Sequence, residues 1–183
     1  MIHIHSPGLT KLAVGAASAC AALLASIAVL ASTPVRAASA SATQKCRTSG
    51  LDIWFNNEGG GGTAGSIYYK LEFTNLSGHA CTIRGFPGVS ATDLGGRKIG
   101  RAASRDTSQP SGSVTLAAGA SATATLRIVD AGNFPTASCH QVTAAGLRVF
   151  PPGQTTSRLV PFPFQTCSVA STGVLSIRAL AKA

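Results

Sequence analysis

Between residues 66 and 74, SIYYKLEFT, every second position is apolar. Ile67, Tyr69, Leu71 and Phe73 fall on one side of an extended chain, and Tyr68, Lys70, Glu72 and Thr74 on the other. That period of two belongs to a β-strand with one dry and one wet face. Residues 120–130, ASATATLRIVD, repeat it, with Ala122, Ala124, Leu126 and Ile128 inward and Ser121, Thr123, Thr125 and Arg127 outward. Shorter runs rich in branched residues predict strands over 51–55, 80–84, 89–92, 114–116, 147–150 and 174–180. Turn signals separate them: Asn75-Leu76-Ser77-Gly78, Gly95-Gly96, Ala118-Gly119 and Pro151-Pro152-Gly153, with a flexible glycine loop over 59–62. One helical turn fits Pro135 to Cys139. A series of short strands with Gly/Pro turns and almost no helix predicts an all-β fold, an antiparallel β-sandwich.

One junction shows how such a sandwich turns a corner. Cys81 and Ile83 share a face of the strand over 80–84, and Gly85-Phe86-Pro87-Gly88 ends it. Pro87 cannot donate to a sheet ladder and Gly88 can take a positive φ. The strand is therefore expected to switch sheets here, with Phe86 tucked inward and Cys81 available to bridge the corner to a neighbour.

The N-terminus departs from this pattern. Lys11 is followed by an uncharged run from Leu12 to Ala31, then Ser32-Thr33-Pro34 and small residues. A basic start, an apolar middle and a small-residue end make a signal peptide over residues 1–42, with cleavage after Ala37, Ala40 or Ala42. The remainder, 43–183, has the length of one β-sandwich domain. The apolar run, about 20 residues, is also long enough to serve as an uncleaved anchor. Cys20 lies inside the run, not at its end, which does not suit lipid attachment. The protein is expected to be secreted or associated with the cell envelope, with no membrane span once the signal is removed.

Export changes how the cysteines are read. Cys46, Cys81, Cys139 and Cys167 follow the signal, an even count that predicts two disulfide bonds in an oxidising compartment. Three pairings are open; Cys46–Cys81 with Cys139–Cys167 is favoured, because each closes a moderate loop. The alternative is a copper or zinc site built from His79, Cys81, Cys139 and His140, since His79 lies two before Cys81 and His140 follows Cys139. The absence of any Cys-x-x-Cys pair weighs for disulfides.

Past residue 42 the chain has thirteen Lys and Arg against six acids, a net charge of +7. That balance favours an anionic neighbour such as a cell-wall polymer. The one dense stretch, Arg97, Lys98, Arg101 and Arg105, is the candidate anionic-ligand patch; its plainer role is to keep a loop solvated. No aromatic residues interleave with these bases, so nucleic acid is not an expected partner.

The pieces FTNLSGHACTIRGFPGVS, VTLAAGASATATLRI and GLRVFPPG, in this order and followed by a late cysteine, resemble the secreted actinobacterial domain of unknown function 4232. The resemblance runs from Cys46 to about Leu180. It implies an immunoglobulin-like β-sandwich of exported or lipoprotein-type chains, and it implies no activity and no catalytic residues.

The residues add little chemistry of their own. There is no Gly-x-Ser-x-Gly elbow, phosphate loop or dinucleotide fingerprint. Asp52, Glu58, Glu72, Asp93, Asp106 and Asp130 fall mostly at turns or outward strand positions, where they solubilise. Asn75-Leu76-Ser77 has the form of a glycosylation site but reads as a turn. Trp54 is expected in or beside the core, with a sugar-binding role alongside Tyr68 and Tyr69 as the functional alternative. The sequence thus predicts a non-enzymatic interaction module with no cofactor, whose partner is a protein or an anionic polymer. A metal-binding domain is the alternative, and a hydrolase has the least support.

Overall fold

The computed structural model describes residues 43–56 and 61–183. The expected signal or anchor segment, Cys20 within it, and Gly59 and Gly60 of the glycine loop lie outside the described residues. In chain order the strands are β1 (Leu51–Asn56), β2 (Gly62–Thr63), β3 (Ser66–Asn75), β4 (Cys81–Arg84), β5 (Gly88–Thr92), β6 (Lys98–Ile99), β7 (Ser104–Asp106), β8 (Ser113–Leu116), β9 (Ser121–Val129), β10 (Gln141–Phe150), β11 (Arg158–Cys167), β12 (Leu175–Arg178) and β13 (Ala181–Lys182). The expected helical turn is α1 (Thr136–Cys139).

The two strongest alternating runs become neighbours. β3 and β9 pair antiparallel, with Phe73 opposite Ala122 and Leu71 opposite Ala124, so bulky side chains of one strand meet small ones of the other. This pair is the middle of a sheet ordered β1-β3-β9-β12-β7, with β2 added to β3 and β13 to β9. The second sheet is ordered β11-β10-β5-β6, and β4 pairs with β8 as a separate ribbon. Leu51, Ile53, Leu71, Phe73, Leu126 and Ile177 of the first sheet are buried, as are Val89, Ala91, Leu147, Val149 and Val160 of the second. Each such Val, Leu, Ile or Phe side chain stabilises by roughly 1.5–3 kcal/mol relative to exposure. The chain is an all-β sandwich, and its thirteen described strands pair antiparallel except at one edge, where β12 runs parallel to β7.

The corner at 85–88 switches sheets as expected: β4 belongs to the ribbon and β5 to the second sheet. Its details differ. The positive φ, 105°, is at Gly85, while Gly88 starts β5 against the side chain of Phe150. Pro87 is the buried residue; Phe86 is half-buried, with the Arg105 guanidinium 5.6 Å above its ring. A cation over the ring keeps this aromatic at the surface.

Strand bounds shift too, most of them by a single residue. β10 begins six residues before the expected 147–150, and the strand expected over 174–180 ends at Arg178. β11, ten residues long, was not anticipated. Its inward Phe162 stacks on Phe55 of β1 at 4.1 Å, and Tyr69 meets both rings edge-on, closing one end of the sandwich with aromatic side chains.

Candidate functional site

The basic stretch is not one loop. Asp93 and Arg97 close the hairpin between β5 and β6: the Asp93 carboxylate accepts from the Arg97 backbone N–H and from its Nε, both at 2.8 Å. Those bonds, the backbone one foremost, hold the Asp93 carboxyl below its ordinary pKa. Lys98 lies in β6 at the edge of the second sheet, opposite Thr92. The chain then crosses to the first sheet, through Gly100 and Arg101, to place Arg105 in β7 opposite Ile177. Gly100 has φ 58°, and a Cβ there would lie 2.2 Å from the Cys167 carbonyl oxygen, so the crossing depends on glycine. Arg97 is therefore neutralised and Arg105 covers Phe86, while Lys98 and Arg101 are exposed with no carboxylate within ion-pair distance among the described residues. Sequence proximity had grouped four cations that two sheet edges share out.

The cysteines pair as Cys46–Cys81, with Cα atoms 4.9 Å apart, and Cys139–Cys167, at 4.5 Å. Each of the thiols that a metal site needed is bonded to another cysteine. His79 and His140 enter the described hydrogen bonds through their backbone: Asn75 and Ser77 donate to the His79 carbonyl and Ser168 to that of His140. Among the described residues no three His, Cys, Asp or Glu side chains gather as metal ligands. Two disulfides are those of an oxidising, extracytoplasmic environment. Among the described residues no helix is long and apolar enough to cross a membrane.

The proposed aromatic trio does not assemble. Trp54 is not in the core; it lies 40% exposed on the outer face of β1, its Nε1 donating to Thr74 Oγ1 at 3.3 Å. Tyr68 shares that face, but Tyr69 points inward to Phe55 and Phe162. Inner-face Ile67 is nevertheless 47% exposed, because it sits at the mouth of the sandwich in a cleft of about 410 Å³ with Tyr69 and Phe164.

Asn75 is more than a turn residue. It ends β3 with no exposed surface, and its Nδ2 donates toward the carbonyls of His79 (2.8 Å), Leu116 (3.0 Å) and Ala117 (3.1 Å). Its Oδ1 accepts from Ser77 N–H and Oγ. The nitrogen that a glycan would occupy is thus committed inside the fold.

A further feature had no mark in the sequence pattern. Residues Gln44 to Ser49 form an arm whose alternate members turn in and out: Cys46 and Thr48 are buried, while Lys45, Arg47 and Ser49 are exposed. The Cys46 N–H donates to the Thr82 carbonyl (2.9 Å) and the Thr82 N–H to that of Gln44 (2.8 Å), so the arm lies parallel to β4. Two cations one residue either side of a cysteine suggest solvation when read alone; only the pairing with β4 shows that they share a fixed face.

Such a body is a disulfide-clamped all-β sandwich with an excess of surface cations. The chain belongs to the family described as domain of unknown function DUF4232, whose model matches residues 46–181, from the first bridged cysteine to β13. No curated protein and no solved structure matches it.

Proposed function

We propose that this chain is a non-enzymatic module, secreted or held at the cell envelope, that binds an anionic wall polymer. The observation that carries this reading is uncompensated positive charge. Only two ion pairs, Asp93–Arg97 and Asp106–Arg178, form among the described residues. Lys45, Arg47, Arg84, Lys98 and Arg101 are exposed and have no carboxylate partner there. Uncompensated cations on a rigid frame attract a polyanion through long-range fields that salt screens within about 10 Å at 0.1 M. The signal-like N-terminus and the two disulfides support placement outside the cytoplasm.

The test is sedimentation of the purified protein with isolated cell wall. Retention at low ionic strength that falls at moderate salt is the expected result. No retention at low salt, or retention indifferent to salt, overturns the reading.

A further inference from the structure

The arm of residues 44–49 is the centre of three clefts. The first, about 620 Å³, lies between Lys45, Arg47 and Ser49 of the arm and Gln154 and Thr156 of the β10–β11 connection. The second, about 260 Å³, reaches from Lys45 and Arg47 to Ser77 and His79 in the turn after β3. The third, about 500 Å³, runs on the other side of Lys45, past Thr82 and Arg84 of β4 to Ser111 and Ser113. Lys45 borders all three and Arg47 two of them.

The chemistry of the walls is one-sided. Lys45, Arg47 and Arg84 supply charge, hydroxyl and amide groups supply most of the rest, no carboxylate and no Phe, Tyr or Trp ring borders any of the three, and the single aromatic ring among the walls is the His79 imidazole. The frame is rigid. The Cys46–Cys81 bridge and two backbone hydrogen bonds lock the arm to β4, and Thr48 Oγ1 donates to the Thr156 carbonyl at 3.2 Å. The backbone that carries these cations is fixed before any partner arrives, so binding orders only their side chains.

The geometry points to a groove along residues 44–49 that binds a phosphodiester-linked polyol chain, with Lys45, Arg47 and Arg84 contacting phosphates and the Ser, Thr and Gln side chains contacting hydroxyls. Cations recognise phosphate by charge-assisted hydrogen bonds. Neutral donors and acceptors along the same walls match a polyol better than a nucleic acid, whose successive bases need a run of ring faces to stack on where these walls offer only the His79 imidazole. This inference rests on the reading that the partner is anionic, and it moves the contact from the 97–105 stretch to the clefts beside the arm, whose only charged side chains are cations.

The probe is a synthetic glycerol-phosphate oligomer, titrated calorimetrically into the oxidised protein at low salt. Phosphatidylglycerol vesicles and a single-stranded DNA oligonucleotide are run in parallel. The triple variant Lys45→Gln/Arg47→Gln/Arg84→Gln is expected to bind the oligomer roughly tenfold more weakly. Lys98→Gln/Arg101→Gln is expected to stay within about twofold of the parent. All five side chains are exposed, so circular dichroism and thiol titration of both variants should match the parent. If only the vesicles bind, with the same dependence on the triple variant, the phosphate is that of a lipid headgroup and the groove stands. If the 98/101 variant loses binding and the triple variant keeps it, the groove is wrong and the anionic partner survives. If DNA binds more tightly than the oligomer, the polyol assignment fails. If the parent binds neither oligomer nor vesicles, the groove and the function proposed above fall together.

Discussion

Asn75 gathers, at one buried point, loop carbonyls from the turn after β3 and from the end of β8. A carboxamide is the group for this task, since one end donates while the other accepts from Ser77. Asn75→Ala would leave these carbonyls dry and without a donor, a cost of roughly 1–3 kcal/mol for each group left unsatisfied. A loss of about 3 kcal/mol in urea unfolding is expected; a loss under about 1 kcal/mol would mean that other donors take over. The sequence marked Asn75 only as a turn former, because its role depends on partners 41 and 42 residues away. The same distance dependence misplaced Trp54 and Phe86: apolar character alone does not say that Thr74 or Arg105 will hold a ring at the surface. The inward sets Leu71, Phe73, Ala122, Ala124, Leu126 and Ile128 were legible, because alternation is a local property of the chain.

At the scale of elements, β11 shows why a strand can escape notice. Pro161 and Pro163 interrupt RLVPFPFQTC, and proline within an apolar run argues against a strand. Yet β11 is the edge of its sheet, where one side of the strand has no ladder to complete and proline is tolerated, and the register shift of its pairing with β10 falls between Pro161 and Phe164. β10 hid half its length for a different reason. A register shift between Ala144 and Gly146 puts both Ala144 and Leu147 inside, which breaks the period of two. Gly146 is needed at that shift, since a Cβ there would come within 2.4 Å of the Val160 carbonyl oxygen. The parallel β7–β12 edge is fastened by Asp106, whose Oδ2 accepts from Arg178 Nε at 2.9 Å. Hydrogen bonds from Ser108 and then from Arg178 hold the Asp106 carboxyl down to about 2. A depressed pKa stabilises the fold fully above the unfolded value, near pH 4, and that contribution disappears as pH falls through about 2. The difference in urea midpoint between the parent and Asp106→Asn should therefore be present at pH 6 and shrink toward zero at pH 2. A difference that does not change with pH would exclude this carboxylate as its source.

For the whole molecule, the two-layer plan and both cysteine pairs could be anticipated, since they follow from patterning, compartment and loop length. The clefts around the arm could not, because their walls come from four separate segments that only the tertiary fold brings together. The bridges close separations of 35 and 28 residues, for which chain entropy gives about 3.5–4 kcal/mol each. Cys46→Ser/Cys81→Ser and Cys139→Ser/Cys167→Ser should each lose about that much in equilibrium unfolding, nearly independently, because the bridges are in different parts of the sandwich. A loss below about 1 kcal/mol in either pair would show that the sheets alone fix that region.

The sulfur link beside the arm also decides how the molecule bears load. A pull on the backbone at Lys45 passes through Cys46 into Cys81, and so into the β4–β8 ribbon, by a covalent route. The residues between the two cysteines, which include all of β1 and β3, are shielded from extension until that link is reduced. Under tension from the N-terminal side, this protein should yield first at the ribbon and keep β1 and β3 unextended, and a reducing agent should bring those two strands into the loaded path.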